Sequence, residues 1–373
     1  MTIRDLLAPA ALAALRRALE ETIEGEVHFE RFFRGMHSTD ASVYQIIPLG
    51  VVAPHSREDV VRVVELCRLH AASITARGGG TSQAGQAIGP GLQLDFSRHM
   101  NRLLDLDVEN RTVRVEPGMV LDELNARLKP HGLQLPLDLS TSNRATIGGM
   151  IANNSAGTRS IVYGKTIDYV EELQVVLADG ALVTMQALDE SARRAKSNRD
   201  DLEGSCYRIV QELGAKHQRE IRRRYPKIQR RVGGYNLDEF LPANRPLNLC
   251  RIMVGSEGTL GLTVAAKLRL VPLVQHRMVC CVQFADVLEA MAATPVILRH
   301  DPSAVELVDR FILDSTQGRL EFEPLRAFID GDPGAVLLVE FFDEDPARID
   351  RLVEDLERQR LGHHIYRAVN MED

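Results

Sequence analysis

Residues 77–86 read Arg-Gly-Gly-Gly-Thr-Ser-Gln-Ala-Gly-Gln and follow the apolar run Ser73-Ile74-Thr75-Ala76. Glycine loses more conformational entropy on folding than any other residue, so three in succession indicate that bare backbone is needed there. A strand that runs into such a loop can point successive N–H groups into one concavity, where backbone binds a phosphate. Thr81 and Ser82 add hydroxyl donors, and Arg77 adds charge. The stretch predicts a phosphate cradle, with a tight surface turn as the alternative.

The loop differs from the two best-known nucleotide-binding loops. A dinucleotide fingerprint would need glycine where Gln83 stands, and its loop would open directly into a helix. Short strands are predicted instead at Gly91–Asp95 and Leu103–Asp107. Further along, Gly164-Lys165-Thr166 imitates the end of a Walker loop, but that motif needs glycine where Arg159 stands. A nicotinamide-binding Rossmann domain and a P-loop NTPase are therefore disfavoured.

Two further stretches are unusual. Pro136–Asp168 is poor in charge and rich in small and amide residues. This composition is typical of backbone folded against a bulky polar ligand, with Asn and Thr side chains supplying hydrogen bonds. Val254–Gly261 reads Val-Gly-Ser-Glu-Gly-Thr-Leu-Gly, and its glycines again allow the backbone to approach a ligand closely. It is not a nucleophile elbow, because GxSxG centred on Ser256 would need glycine at position 254.

Length and composition describe an ordinary globular protein. The 373 residues are 45% hydrophobic and 26% charged, and this length is typical of about two to three domains. Aromatic residues make up only 5%, Trp is absent and the net charge is −7, which disfavours a nucleic-acid partner. The arginines at 222–224, 230 and 231 are interpreted as a solvated helix face or insert, with phosphate binding as the alternative.

The cysteines and the start of the chain indicate a reducing compartment. The five cysteines show no CxxC spacing, and Met1–Asp5 lacks a basic-then-apolar signal. Reduced thiols and a cytoplasmic location are therefore expected. No apolar run reaches the ~18 residues of a membrane span, and no metal site is predicted.

The predicted elements divide the chain into three parts. Residues 1–40 read as an N-terminal helical arm, because their leucines fall near helical spacing. Residues 41–272 hold the three unusual stretches, with a charged insertion at 186–250 that reads as helical pieces. Within the insertion, Tyr235-Asn236-Leu237 could face a ligand or serve local packing. From 273 to 373 strand and helix alternate, which suggests a separate α+β domain.

Two local patterns add detail. Val170–Leu177 and Ala181–Met185 predict a β-hairpin, since Asp179-Gly180 supplies the positive φ that a two-residue turn demands. A later helix at about Asp286–Arg299 is expected to be interrupted at Pro295, which lacks a backbone N–H.

Together, the three stretches resemble the flavin domain of FAD-linked oxidoreductases of the vanillyl-alcohol-oxidase or PCMH type. In that family a loop like Arg77–Ser82 binds the FAD pyrophosphate, a stretch like Thr146–Gly164 lines the cofactor, and a turn like Gly255–Gly261 completes the flavin site. The resemblance implies an α+β fold, with a two-subdomain PCMH-type FAD-binding domain followed by the start of an α+β substrate (cap) domain. The cofactor-binding residues that it implies are Arg77, Gly78, Gly79, Gly80, Thr81, Ser82, Gln86, Pro136, Asp138, Ser140, Thr146, Gly148, Gly149, Asn153, Asn154, Gly157, Tyr163, Gly164, Glu257, Gly258, Thr259, Leu260 and Gly261.

Within this family the chain looks most like the D-2-hydroxy-acid branch, near D-lactate and D-2-hydroxyglutarate dehydrogenases, because of the stretch Ser142–Gly157. The resemblance implies that FAD accepts a hydride from a small-molecule D-2-hydroxy acid, which becomes the 2-oxo acid. It does not identify the electron acceptor, and a homo-oligomer is compatible with the sequence. Covalent members have a histidine where this chain has Thr81, so non-covalent, dissociable FAD is expected.

Two features of the branch have no counterpart in this sequence. Long bacterial members carry a ferredoxin-like iron–sulfur region, whose cysteines are missing here. The histidine-containing metal and general-base motif and the Arg clamp of the substrate half would lie beyond Asp373. Adjacent His363-His364 are not taken as that motif, because neighbouring side chains point in different directions. No catalytic base is therefore assigned.

These departures leave two interpretations open. The chain is expected to be C-terminally truncated, or to be a gene product without its own acid-binding site. In the first interpretation of its function, it is an FAD-dependent dehydrogenase of D-2-hydroxyglutarate or D-lactate. In the alternative, it is a flavin-binding electron-transfer subunit or fragment that is inactive without a partner or its missing C-terminal half.

Overall fold

The computed structural model describes residues 7–241 and 246–368. Within these ranges the chain forms two compact units. Unit 1 comprises the residues up to 156 together with 165–271, and unit 2 comprises 157–164 together with the residues from 272 onward.

Helices and strands are mixed throughout the chain, and the fold is α+β, as predicted. In chain order the elements are α1 (Pro9–Thr22), β1 (Glu26–His28), α2 (Arg31–Met36), β2 (Gly50–Ala53), α3 (Arg57–Leu69), β3 (Ile74–Arg77), β4 (Leu92–Asp95), β5 (Leu103–Asp107), β6 (Thr112–Val115), α4 (Leu121–Leu128), β7 (Leu133–Gln134), α5 (Ile147–Asn153), α6 (Ser160–Tyr163), β8 (Val170–Val176), β9 (Leu182–Gln186), α7 (Glu190–Ser197), α8 (Leu202–Lys216), α9 (Gln218–Arg224), α10 (Cys250–Met253), β10 (Leu262–Arg269), β11 (Val271–Pro272), β12 (His276–Phe284), α11 (Val287–Ile297), β13 (Ala304–Asp309), α12 (Arg310–Thr316), β14 (Ala335–Asp343), α13 (Pro346–Arg358) and β15 (His364–Ala368).

The first sheet of unit 1 carries the glycine loop at the end of β3. Its strand order is β1-β2-β4-β3, in which β2, β4 and β3 are parallel and β1 is antiparallel to β2. Parallel strands need a crossover connection, and α3 provides it between β2 and β3. α3 begins where the Ser56 hydroxyl accepts a hydrogen bond from the N–H of Asp59. Its apolar stripe, which includes Val60 and Val63, is buried against the sheet.

The N-terminal segment is more than the helical arm expected at 1–40. α1 buries Leu15 and Leu19 completely in the core of unit 1, because a stripe of leucines is stable only when it is covered. β1 then pairs with β2, with Val27 opposite Val52. The segment that follows β1 returns to a helix at α2. The described part of 1–40 therefore contributes a strand and part of a core.

The second sheet of unit 1 is antiparallel, with the order β5-β6-β10-β8-β9. The predicted hairpin is its β8–β9 edge, although the two-residue turn is wrong. Leu177 and Ala181 close the hairpin through an N–H···O=C bond of 2.9 Å, which leaves a three-residue loop. Gly180 has a φ of +92°, the left-handed conformation that three-residue hairpin loops place at glycine.

The charged segment after β9 is helical over most of its described length. α7, α8 and α9 follow one another, and they bury the apolar side chains of Tyr207, Val210 and Ile221. A short 3-10 turn at Leu237–Phe240 and α10 then lead back to β10 in the second sheet.

Unit 2 has one antiparallel sheet with the order β13-β14-β12-β15. α11 and α13 pack against the same core as the buried faces of β12 and β14, in the split β-α-β arrangement. α11 continues through Pro295 to Ile297, so the predicted interruption is wrong. Pro295 lies in the last turn, where its missing N–H costs a single backbone bond. Among the described residues, no helix is both long and apolar enough to cross a membrane.

Candidate functional site

The first part of the site is the glycine loop that follows β3 in unit 1. A Cβ added at Gly78 would lie 2.1 Å from Oγ1 of Thr146, and one added at Gly79 would lie 2.2 Å from the carbonyl oxygen of Arg144. Both distances are far inside van der Waals contact. The glycines therefore let the loop pack directly on the residues that precede α5.

The N–H groups of this loop have no acceptor. From Gly78 to Gln83, no backbone N–H donates a hydrogen bond to any part of the chain that the structure describes. The loop is only partly buried, and Gly80 has a φ of +65°. Backbone donors that are neither paired nor deeply buried are available to a ligand with several acceptor oxygens, such as a phosphate.

The side chain of Arg77 holds this loop in place through two hydrogen bonds. Its Nη1 donates to the carbonyl oxygens of Thr39 at 2.8 Å and of Ala87 at 3.2 Å. Burial lowers the pKa of the Arg77 guanidinium, while Asp95 and Asp40 act in the opposite direction. The side chain thus joins the two ends of the loop region to the segment before β2.

The second part of the site is the start of α5. The Thr146 hydroxyl caps the helix by accepting a hydrogen bond from the N–H of Gly149 at 3.3 Å. Gly148 donates to the carbonyl oxygen of Pro117 at 2.7 Å, and a Cβ at Gly148 would lie 2.7 Å from the Cβ of Pro117. The Thr-Ile-Gly-Gly sequence therefore fixes α5 against both the glycine loop and the end of β6.

The two predicted asparagines lie at the other end of α5. Asn154 is completely buried in the left-handed conformation, and its Oδ1 accepts from the N–H of Ile167 at 3.1 Å. Its Nδ2 is buried without a hydrogen-bond partner among the described residues. Asn153 donates through Nδ2 to Glu257 at 3.0 Å, which ties α5 to the third stretch.

That third stretch is attached to the C-terminal end of α5 by its backbone. The N–H of Gly255 donates to the carbonyl oxygen of Ile151 at 2.9 Å, and the N–H of Glu257 donates to that of Ala152 at 3.0 Å. Carbonyl groups in the last turn of a helix lack partners within the helix, so these bonds satisfy them. Three separate parts of the sequence thus meet around one short helix.

The Tyr235-Asn236-Leu237 cluster serves local packing around this stretch. Asn236 is buried and donates from Nδ2 to the carbonyl oxygens of Val254 at 2.8 Å and Arg251 at 3.2 Å. The hydroxyls of Tyr235 and Thr259 share a hydrogen bond of 2.7 Å. These bonds brace both sides of the turn.

A cleft lies between the three stretches within unit 1. It is open to solvent, and its empty space, counted together with the open solvent at its mouth, is about 520 Å³. Seven of the predicted site residues line it: Arg77, Gly78, Thr146, Gly148, Gly149, Gly258 and Gly261. Three other lining residues lie within the predicted stretches without having been singled out, namely Ile151, Ala152 and Ser256. Sequence reasoning missed the remaining ones, which are Ala76, Phe96, Pro117, Met253, Leu262 and Thr263.

The remaining predicted residues lie elsewhere. Gly79, Gly80, Thr81 and Ser82 continue the glycine loop, Gln86 accepts from the N–H of Ala84 within it, and Glu257, Thr259 and Leu260 complete the third stretch. Pro136 is buried, Asp138 is half-buried and Ser140 is exposed, and none of the three lines the cleft. Gly157, Tyr163 and Gly164 belong to unit 2.

Within unit 2, the segment 157–164 is held on β14 by a partly buried ion pair. Arg159 contacts both carboxylate oxygens of Glu340 at 2.7 Å through Nε and Nη2. The hydroxyl of Ser303 donates to the same carboxylate at 3.0 Å. The rings of Tyr163 and Phe342 are stacked, with centroids 5.5 Å apart. These contacts give the segment a fixed place on the sheet.

Two protein families match the chain. Residues 48–186 match the FAD binding domain, and residues 273–371 match the C-terminal domain of FAD linked oxidases.

Two curated relatives represent the similarity at sequence level. The chain is 34% identical over 370 residues to a D-2-hydroxyglutarate dehydrogenase from Pseudomonas putida, an alignment that covers 95% of this chain and 36% of that protein. It is 30% identical over 302 residues to a mitochondrial D-lactate dehydrogenase (cytochrome) from Arabidopsis thaliana, which covers 80% and 44% of the two chains. The chain spans about a third of the length of the D-2-hydroxyglutarate dehydrogenases that it matches.

Among solved structures, 4-ethylphenol oxidase from Gulosibacter chungangensis has a TM-score of 0.65 to this chain at 17% identity, covering 98% of this chain and 66% of its own. At this level of identity the likeness concerns the fold alone.

Proposed function

Because this chain belongs to the FAD-linked oxidases, with an FAD binding domain followed by the C-terminal domain of that family, we propose that it oxidises a D-2-hydroxy acid to the 2-oxo acid by hydride transfer to FAD. D-2-hydroxyglutarate and D-lactate are the candidate substrates, since relatives at 34% and 30% identity are dehydrogenases of these acids. FAD supplies the electron sink when it is bound. Free cysteines throughout the chain support the cytoplasmic location that we propose for it.

The observation that carries the proposal is the row of free N–H groups from Gly78 to Gln83 beside the cleft. These donors would offset the charge of the FAD diphosphate, as backbone N–H groups do in other phosphate sites. Thr81 and Ser82 stand in the same loop and add hydroxyl groups.

The apolar side chains in the cleft wall would suit the flat, largely apolar ring system of a flavin. Phe96, Pro117, Ile151, Met253 and Leu262 present apolar surface to it. Such surface would bind the ring and exclude water from it. Thr81 stands in the glycine loop where covalent members of the family carry a histidine, which supports the proposal that FAD is held without a covalent bond.

A second candidate function is a flavin-binding electron-transfer subunit that needs another protein for oxidation. It is favoured by one observation: no carboxylate, imidazole or amine among the described residues lines the cleft. The hydroxyl proton of a hydroxy acid needs an acceptor within hydrogen-bond reach, most often a histidine. The acceptor would have to come from outside the cleft as it is described.

Flavin reduction separates the two functions. The purified chain, loaded with FAD, is mixed anaerobically with D-2-hydroxyglutarate or D-lactate, and flavin absorbance is followed. Bleaching by either D acid but not by its L enantiomer supports the dehydrogenase. Bound FAD that is reduced by dithionite but by neither acid contradicts a self-sufficient enzyme and supports the subunit.

A further inference from the structure

Residues 39–41 are hydrogen-bonded to the glycine loop and to Arg77, the last residue of the strand before it. The N–H of Ala41 donates to the carbonyl oxygen of Gly80 at 3.0 Å, and Nη1 of Arg77 donates to that of Thr39 at 2.8 Å. These bonds tie both the loop and the strand that leads into it to one short segment. The position of the segment therefore sets the position of the free N–H groups.

His37, which ends α2, comes just before this segment. Its Nδ1 is 3.0 Å from the carbonyl oxygen of Phe33, and its Nε2 is 3.2 Å from Oδ2 of Asp95. A carbonyl oxygen and an ionised carboxylate only accept hydrogen bonds. Both contacts are hydrogen bonds only when both ring nitrogens carry a proton, which is the imidazolium form. A positive charge there also suits the C-terminal end of a helix.

Asp95 connects His37 to the strand that leads into the loop. It lies opposite Arg77 in the β4–β3 ladder. Burial opposes ionisation of Asp95, but hydrogen bonds from His37 and Ser97 leave the pKa of this carboxyl below its usual range. The next residue, Phe96, lines the cleft and donates its N–H to the carbonyl oxygen of Arg77 at 3.0 Å. The imidazole is therefore linked to the site from β4 as well as from residues 39–41.

We propose that His37 is a positioning residue for the FAD-binding loop, and that loss of its second proton weakens FAD binding as the pH rises. The inference rests on the proposed function in one respect, namely that the glycine loop binds FAD. A neutral ring has one donor for two acceptors, so either the Phe33 carbonyl or the Asp95 carboxylate would face a lone pair. The segment that leads from α2 into residues 39–41 would then lose one of the two contacts of His37, and the loop N–H groups would be held less firmly.

Two carboxylates and one guanidinium lie on the elements next to His37. They are Asp95 from β4, Arg77 from β3 and Asp40 from the segment itself, whose carboxylate accepts from the N–H of Ala87 at 3.4 Å. Carboxylates and guanidinium groups keep their charge between about pH 5 and 8, where imidazole changes its own.

The test measures the dissociation constant of FAD across this pH range by the quenching of flavin fluorescence. The wild-type chain is compared with His37→Phe, which keeps a ring without donors, and His37→Gln, which keeps an uncharged donor toward Asp95. The control is His99→Phe, because Nε2 of His99 contacts Glu26 at 2.8 Å in the same unit and no contact given for it reaches residues 37–41. Thermal unfolding is recorded for each variant.

Wild type and His99→Phe should bind FAD about tenfold more weakly at pH 8 than at pH 5. His37→Phe should bind weakly and His37→Gln at an intermediate level, both without pH dependence. The inference is overturned if a folded His37 variant keeps the wild-type affinity and pH profile, or if His99→Phe loses them equally. A wild-type chain that takes up no FAD at any pH overturns the proposed function itself.

Discussion

Gly78 lies so close to Thr146 that a β-carbon on it would be 2.1 Å from the threonine Oγ1. The hydroxyl of Thr146 is also engaged in capping α5 through the N–H of Gly149, so it cannot turn aside without leaving the helix start unpaired. This pair joins two stretches that are 68 positions apart in the sequence. The glycine loop and the start of α5 are therefore packed directly against each other.

Gly78→Ala should separate the loop from α5 and weaken FAD binding by at least about tenfold, since overpacking typically costs about 1–3 kcal/mol. Titration of FAD into the variant measures the loss. Gly35→Ala is the matched control, because no heavy atom lies within 4 Å of the Cβ position at Gly35. Equal FAD affinity in the two variants would show that the close approach at Gly78 does not shape the site.

Gln93→Met should stabilise the chain, because Gln93 is completely buried in β4 and neither of its amide atoms has a partner among the described residues. An unsatisfied buried polar group costs about 1–3 kcal/mol. Gln283→Met is the control. Gln283 is equally buried, but it donates to the carbonyl oxygen of Phe328 at 2.7 Å and accepts from Asp330 at 3.1 Å. Urea unfolding should show opposite signs for the two substitutions, and a destabilised Gln93→Met contradicts the prediction.

The cysteines should differ in reactivity. Burial raises the pKa of the Cys67, Cys250 and Cys280 thiols to about 12 and that of Cys281 to about 11, and a thiol without thiolate character reacts slowly. Cys206 is only half-buried. In the native chain, a disulfide reagent such as DTNB at pH 8 should therefore label no cysteine other than Cys206. After denaturation it should label all five cysteines. Rapid labelling of the others in the folded chain would contradict their burial.

Asp95→Asn should change how stability depends on acid. Hydrogen bonds from His37 and Ser97 outweigh the effect of burial and lower the pKa of Asp95 in the folded chain. A folded-state pKa below the unfolded value means that the unfolded state binds the proton first as the pH falls. The stabilisation is thus complete above the unfolded value of about 4 and is lost below it. Urea unfolding of wild type and Asp95→Asn should give a stability difference that shrinks below about pH 4, and a constant difference would refute this.

The glycine-bearing stretches could be located from the sequence because close approach leaves glycine as the residue that fits. Gly148 against Pro117 and Gly78 against Thr146 are examples of such approaches. Phe96 and Met253 line the same cleft but could not be predicted. An apolar residue in a strand or helix has the same pattern whether it faces a core or a ligand.

The residues that hold the glycine loop in place could not be predicted from the sequence either. The β1-β2-β4-β3 order places residues distant in sequence side by side, and periodicity within one element does not reveal which elements are neighbours. For the same reason the sequence predicts a helical arm where the structure has the strand Glu26–His28. The role of His37 could not be predicted at all, because it depends on two contacts made together, with the carbonyl of Phe33 and with the carboxylate of Asp95.

The central claim is that the cleft of unit 1 holds FAD without a covalent bond. Its most direct test is titration of the purified apo-chain with FAD, followed by acid precipitation and measurement of flavin in the supernatant. We predict saturable uptake of one FAD per chain and complete release into the supernatant. A chain that takes up no FAD, or a precipitate that retains the yellow colour, would contradict the account.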